Sequence, residues 1–315
     1  MDSPIRSLHH VTATVDVAQA DLDFYARLLG LRLVKKTVNF DNHHVFHFYY
    51  GNGAGTPGTI MTTFPYGGMG VAVGRKGAGQ ITVTSFSVPG AALGSWRRRL
   101  GEHGWEVRDR EPRFGEDALT VTDPSGLVID LVGTDRDDRP PWVSAKSAIT
   151  PADAIRGIHG VTLTIREPAQ SLALLTDVLG FRIVNEAADH TRLAVGAGGP
   201  GALLELVRAP DAPPAVNGLG TVHHVAFAVP DADAQVRMRA ELVRLGIPVT
   251  EVLDRQYFRS IYFREPGGVL FEIATVPPGF TVDESPEDLG QALKLPPWEE
   301  PNRLTIEAHL PAVKL

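Results

Sequence analysis

The chain has 315 residues, a net charge of −7 and an apolar fraction of 43%, which suits two ordinary globular domains. It contains no cysteine, so disulfides and thiolate metal sites are excluded and any metal must use His, Asp or Glu. Its charges are interspersed with no basic patch, which argues against nucleic acid. No apolar run approaches the roughly 20 residues of a membrane span, and no apolar h-region follows the first residues, so we expect a soluble, cytoplasmic protein.

In chain order, the first informative element is a β-branched run at residues 8–15, LHHVTATV. Residues Ala18–Leu29 then read as a helix, with Leu22, Phe24, Tyr25, Leu28 and Leu29 on one face and Gly30 as the stop. A strand follows in LLGLRLVKK (28–36), and another in Val45–Tyr50. The opening pattern returns at an offset of 150, as IHGVTLTI (158–165) and VLGFRIVNE (178–186). A second pair recurs at offsets of 141 and 142: SFSVP (85–89) with AFAVP (226–230), and DPSGLVIDL (123–131) with EPGGVLFEI (265–273). Four units therefore begin near residues 7, 80, 157 and 221, each reading βαβββ. The predicted class is α+β, with modules 1 and 4 pairing and modules 2 and 3 pairing. Residues 1–133 hold modules 1 and 2, 134–156 form a linker, 157–275 hold modules 3 and 4, and 276–315 form a Pro-rich tail over the surface.

The repeat supplies its own control. On the first strand the position of His10 is taken by Val83, Gly160 and His224. On the last strand the position of Glu272 is taken by Asp130, Glu205, and Thr62 or Thr63. If modules 1 and 4 pair, His10, His224 and Glu272 converge and the fourth position is a threonine. Two His and one carboxylate with open positions is the arrangement of non-haem Fe(II) oxygenases. A charged Glu272 within Val269–Ile273 needs a cation or good hydrogen bonds. Strand alternation puts His9 opposite His10 and His223 opposite His224, so one of each pair reaches a shared metal. Asp130 and Glu205 read as structural. His43 and His47 share a face about 13 Å apart, too far for one ion, so their strand is expected to line or flank the cavity. His103 and His190 read as solvated, and Arg97–Arg99 as an exposed helix face.

Several of these motifs carry a resemblance. LHHVTATV, VHHVAFAVPD (222–231) and PGGVLFE (266–272) are its specific elements, with GTPGTIMTTFP (55–65), GRKG (74–77), RFG (113–115), DRQYF (254–258) and the GFT…LKLPP stretch (279–297) in support. The chain resembles the vicinal oxygen chelate superfamily and, within it, the hydroquinone-type ring-cleaving dioxygenases. That resemblance implies a mononuclear Fe(II), with Mn(II) as the alternative, held by His10, His224 and Glu272, and O2 as co-substrate of a small aromatic ring. It also implies catalytic roles for Tyr262, His223 and Arg255, and substrate or supporting contacts for Thr12 and His9. Three rivals stay open: a catechol extradiol dioxygenase, a glyoxalase-type lyase or isomerase, and a metal-free protein that binds an aromatic or drug. Homo-oligomerisation is left open.

Overall fold

The computed structural model describes residues 3–145 and 147–315; positions 1 and 2 of the N-terminal half and position 146 of the linker lie outside the described residues. Module 1 comprises β1 (Ser7–Val15), α1 (Ala18–Leu22), β2 (Arg32–Asn39), β3 (Asn42–Gly51) and β4 (Ile60–Pro65). Module 2 comprises β5 (Gln80–Val88), α2 (Leu93–Glu102), β6 (Arg108–Arg113), β7 (Glu116–Thr122) and β8 (Val128–Gly133). Module 3 runs through β9 (Gly157–Ile165), α3 (Ala169–Ala173), β10 (Arg182–Ala187), β11 (His190–Ala194) and β12 (Leu203–Arg208). Module 4 runs through β13 (Thr221–Val229), α4 (Ala232–Arg244), β14 (Leu253–Asp254), β15 (Arg259–Arg264) and β16 (Leu270–Thr275).

Two eight-stranded sheets result. One has the order β14-β15-β16-β13-β1-β4-β3-β2 and the other β10-β11-β12-β9-β5-β8-β7-β6. Modules 1 and 4 thus share one sheet and modules 2 and 3 the other, as the repeat predicts. At each centre the modules' first strands pair antiparallel, β1 with β13 and β5 with β9. Within each module the first strand pairs in parallel with the last. Every module therefore offers one first-strand and one last-strand position to the middle of its sheet.

The module 1 helix departs from a plain α-helix. All five of its predicted core residues are buried, but after Leu22 the coil widens to π geometry over Asp23–Leu28. Leu29 N–H consequently reaches back to Phe24 O at 2.9 Å. Gly30 ends it at φ +74°, where a Cβ would also sit 2.5 Å from Ile149 of the linker. Arg99 is not merely an exposed helix residue. It donates to the Leu28 and Arg27 carbonyls, satisfying that helix's C-terminal end from module 2.

The tail from residue 276 is pinned by apolar and ionic contacts. Phe280, Leu289, Leu295 and Ile306, the last in α5 (Arg303–His309), are buried against the first sheet. Lys35 on β2 is fully buried and donates to Asp283 at 2.5 Å and to Glu284. Removing one partner of a buried pair strands the other charge, at a cost of about 3–5 kcal/mol. Lys35→Ala should therefore lower stability by about 3 kcal/mol and open the tail to protease near 283–295. Thermal melts and limited proteolysis read both effects.

A buried acid lies between α1 and the first sheet. Asp21 Oδ2 accepts from Tyr50 and Thr63, each at 2.6 Å, while Oδ1 has no partner. Burial pushes its carboxyl up to about 7, against hydrogen bonds that pull it down. The native state then holds a proton that the unfolded chain releases above about 4. Asp21 thus contributes stability at low pH that is lost as pH rises toward 7. Relative to Asp21→Asn, the wild type should lose stability between about pH 4 and 7. Parallel denaturation curves that keep a constant difference across that range would refute this.

Candidate metal centre and cavity

The shared sheet brings His10 on β1, His224 on β13 and Glu272 on β16 to one point. Their facing atoms are separated by 3.3 Å (His10 Nε2 to His224 Nε2), 3.2 Å (His10 Nε2 to Glu272 Oε2) and 2.8 Å (His224 Nε2 to Glu272 Oε2). All three residues are buried, and among the described residues no other trio of His, Asp or Glu converges this closely. Glu272 Oε2 is a buried carboxylate oxygen without a hydrogen-bond partner. Metal bonds of about 2.0–2.2 Å separate neighbouring ligand atoms by about 3 Å, so the trio fits a metal ion. The other oxygen, Oε1, accepts from Ser260 on β15, which fixes the carboxylate's rotation. Burial pushes the Glu272 carboxyl up, but His10 and then His224 outweigh it and hold it well below the usual carboxylate range.

Strand alternation does not hold at the two histidine pairs. His9 is skipped in the β1–β13 register between Leu8 and His10, and His223 is skipped between His224 and Val222. Each is the extra residue of a β-bulge, which turns a side chain away from strict alternation. As a result His9 Nδ1 lies 2.8 Å from His10 Nδ1, and His223 Nδ1 lies 2.8 Å from His224 Nδ1. With Nε2 turned to a metal ion, His10 and His224 would keep their proton on Nδ1 and donate to the neighbouring imidazole, a support of the kind metal-bound histidines use. Burial, with help from the adjacent ring, lowers His9 and His223 to about 3, so both are neutral acceptors there. His9 also packs against Phe258, which covers His10 as well, at ring distances of 4.9 and 5.2 Å.

A cavity of about 650 Å3 opens over the trio. His223, Thr12, Tyr262 and Arg255 line it, whereas His9 sits behind His10 and does not. Burial, followed by the Glu272 charge, raises the Tyr262 hydroxyl, so it is protonated at neutral pH. Arg255 Nε donates to that hydroxyl at 3.3 Å and its other nitrogens grip Asp41 at 3.2 and 3.1 Å. Asp41 joins β2 to β3, so this pair links module 1 to module 4 across the cavity mouth. Ser260, Phe258 and His47 were not singled out as site residues from sequence. Only His47 left a signal, its expected place on a strand beside the cavity, which it does line. His43 instead faces Glu299 in the tail at 3.2 Å.

The second sheet repeats this geometry with different side chains. Val83, Asp130, Gly160 and Glu205 stand where the first has His224, Glu272, His10 and Thr62, a register that selects Thr62 over Thr63. A Cβ at Gly160 would lie 2.9 Å from the Leu203 carbonyl oxygen, leaving no room for a histidine. The two acids remain and are met by arginines: Arg192 reaches Glu205 at 2.6 Å and Glu116 at 2.7 Å, and Arg110 reaches Asp130 at 3.1 Å. His190 is not solvated as expected. It is half-buried, 2.7 Å from Arg113 and 3.9 Å from Glu205. His103 is exposed.

The chain belongs to the Glyoxalase/Bleomycin resistance protein/Dioxygenase superfamily, which it matches over residues 7–131 and 157–273. MhqO of Bacillus subtilis (strain 168), named provisionally as a ring-cleaving dioxygenase, is 41% identical over 96% of this chain and 95% of its own length. The chlorohydroquinone/hydroquinone 1,2-dioxygenase of Sphingobium indicum is 37% identical over 94% of this chain and 93% of its own. A crystal structure of a protein from Bacillus subtilis, described provisionally as a dioxygenase, superposes with a TM-score of 0.94 at 40% identity, covering 100% of this chain and 99% of that one. Glyoxalase I of Zea mays shares the fold at 15% identity and a TM-score of 0.63, over 86% of this chain and 92% of its own.

The centre should bind one divalent ion per chain, with none in the arginine-filled second cup. Elemental analysis after reconstitution should give one equivalent for the wild type. Glu272→Gln should retain at least about tenfold less metal while melting as a folded protein. Full metal content in that variant would remove Glu272 from the ligand set.

Proposed function

We propose that the chain is a ring-cleaving dioxygenase that opens hydroquinone-type dihydroxybenzenes with O2, using Fe(II), or Mn(II) in its place, held by His10, His224 and Glu272. The observation that carries this reading is the trio with a free carboxylate oxygen, set beneath a cavity, with Thr62 at the fourth position. A glyoxalase-type reaction asks for a fourth ligand there, and a threonine hydroxyl is a poor one for such an ion. An extradiol enzyme of the catechol type takes its ligands from modules 3 and 4, and Gly160 offers none. The relatives' names agree with the hydroquinone reading.

When bound, the ion supplies adjacent open positions for an ionised substrate hydroxyl and O2, together with the electron exchange that lifts the spin barrier between O2 and the ring. The chain's own residues supply the rest. His223 has its Nδ1 turned to His224, which leaves Nε2–H as a neutral donor to oxygen gaining negative charge. Tyr262, protonated and accepting from Arg255, directs its proton into the cavity and hands it to a substrate oxygen. Arg255, held by Asp41, faces the distal side of the ring and stabilises negative charge there. Both oxygen atoms of O2 enter the opened product, so no further reductant is required.

The test is O2 uptake by protein reconstituted anaerobically with Fe(II). Hydroquinone and methylhydroquinone should consume O2 one-to-one and yield a ring-opened chromophore. Uptake with catechol alone, or none with any diol, would overturn the proposal. Tyr262→Phe should lower kcat by about 100-fold with metal content retained.

A further inference from the structure

The fourth ligand position is not idle. Thr62 on β4 is fully buried, and its hydroxyl donates to the Thr12 hydroxyl on β1 at 2.9 Å. His47 Nε2 on β3 lies 2.9 Å from the same Thr62 oxygen. A hydroxyl has one proton to give. Since Thr62 gives its proton to Thr12, the proton between His47 and Thr62 must belong to His47 Nε2. Thr12 accepts from Thr62, so its own proton is free to point elsewhere, and among the described residues no acceptor takes it. Thr12 lines the cavity and pairs in register with His224 on β13. The donors therefore run one way across neighbouring strands, β3 to β4 to β1, and end beside the metal trio.

We propose that His47 and Thr62 are positioning residues: they fix the Thr12 hydroxyl so that its proton points over the open side of the metal trio, at the oxygen that gains negative charge as the ring is attacked. The proposal rests on the dioxygenase reading and adds to it two residues and a direction of donation. His47 is well placed to hold its part. Its ring is clasped between Tyr49 and Phe64, with centroids 4.0 and 4.3 Å away. Burial, and then the neighbouring His10 and His224, keep it well below the usual histidine range, hence neutral with one ring nitrogen protonated. A threonine in place of a ligand thus has a use. It keeps the coordination position open and turns a chain of hydroxyls toward it. A fixed donor that strengthens only as charge develops acts on the chemical step more than on substrate binding.

The decisive variants are Thr62→Val, which keeps shape and removes the hydroxyl, and Thr62→Ser, which keeps the hydroxyl. Thr62→Val should lower kcat by about tenfold with KM within about twofold, and with metal content and melting temperature retained. Thr62→Ser should recover most of that rate. Thr12→Val, His47→Phe and the double variant Thr12→Val/Thr62→Val should each lose a similar factor, because one chain is cut in each. Independently of activity, 15N NMR of the metal-free protein should find the His47 proton on Nε2, with that signal displaced in Thr62→Val. A His47 proton on Nδ1, an unchanged kcat in Thr62→Val, or losses that multiply in the double variant would each overturn the proposal. Should a valine variant fail to fold, the His47 tautomer and His47→Phe still decide it. Wild-type protein that consumes no O2 with any diol would sink the dioxygenase reading alone, since the tautomer is read without substrate.

Discussion

A carboxylate with no water around it governs this molecule. Glu272 lies in the centre of a sheet, and one of its oxygens faces the Nε2 atoms of His10 and His224. Burying such a charge without a partner costs many kcal/mol. The chain meets that demand with two imidazoles that face the same point, and under the proposed function an ion would complete the set. Much of the surrounding structure serves to hold this arrangement. Two β-bulges turn His9 and His223 onto the ligand rings. Ser260 locks the other carboxylate oxygen, and Phe258 packs on the His9 and His10 rings. The Lys35 anchor pins the tail, and the tail packs Phe280 against Tyr257, next to Phe258.

The second sheet answers the same constraint differently. It places two carboxylates, Asp130 and Glu205, where the first has Glu272 and Thr62, and has valine and glycine in place of the histidines. Arginine, which carries its charge at any pH and offers several donors, then neutralises the acids. One backbone arrangement has thus been used twice, once around a trio that could hold a removable cation and once around covalently attached ones. In the proposed reading the first can exchange ligands and do chemistry. The second is closed by arginines, and Arg192 of module 3 reaches Glu116 of module 2, which ties the two modules together.

What the sequence disclosed follows from where its information lies. The repeat at offsets of 150 and 141–142 exposed four modules, because each module obeys the same burial pattern. It also exposed His10 and His224 as the odd ones on the first strands, and placed Glu272 among matching acids on the last strands. The bulges were not legible, because skipping one residue in a ladder depends on both strands and leaves no mark in either alone. Alternation left one histidine of each pair to the shared point, as observed, but could not show that the other's ring would lie against it. His190 and Arg99 looked solvated because the partners that hold them, Arg113 and the Leu28 carbonyl, are distant in sequence. The π turn after Leu22 was hidden for another reason: a wider coil buries the same apolar residues as an α-helix.

The threonine at the fourth position shows how an absence in a pattern can become a presence in a structure. Read as a sequence, Thr62 is a missing ligand, and it argues only against chemistry that needs four. In the folded sheet it accepts from one neighbour and donates to another, so its hydroxyl carries direction across three strands. A carboxylate there would fill the coordination sphere, whereas a valine would leave it open but without donors. Threonine is the small side chain that keeps the position open while passing a hydrogen bond across it. In the proposed reading, the threonine that frees a place for O2 therefore also supplies the polarity that place requires.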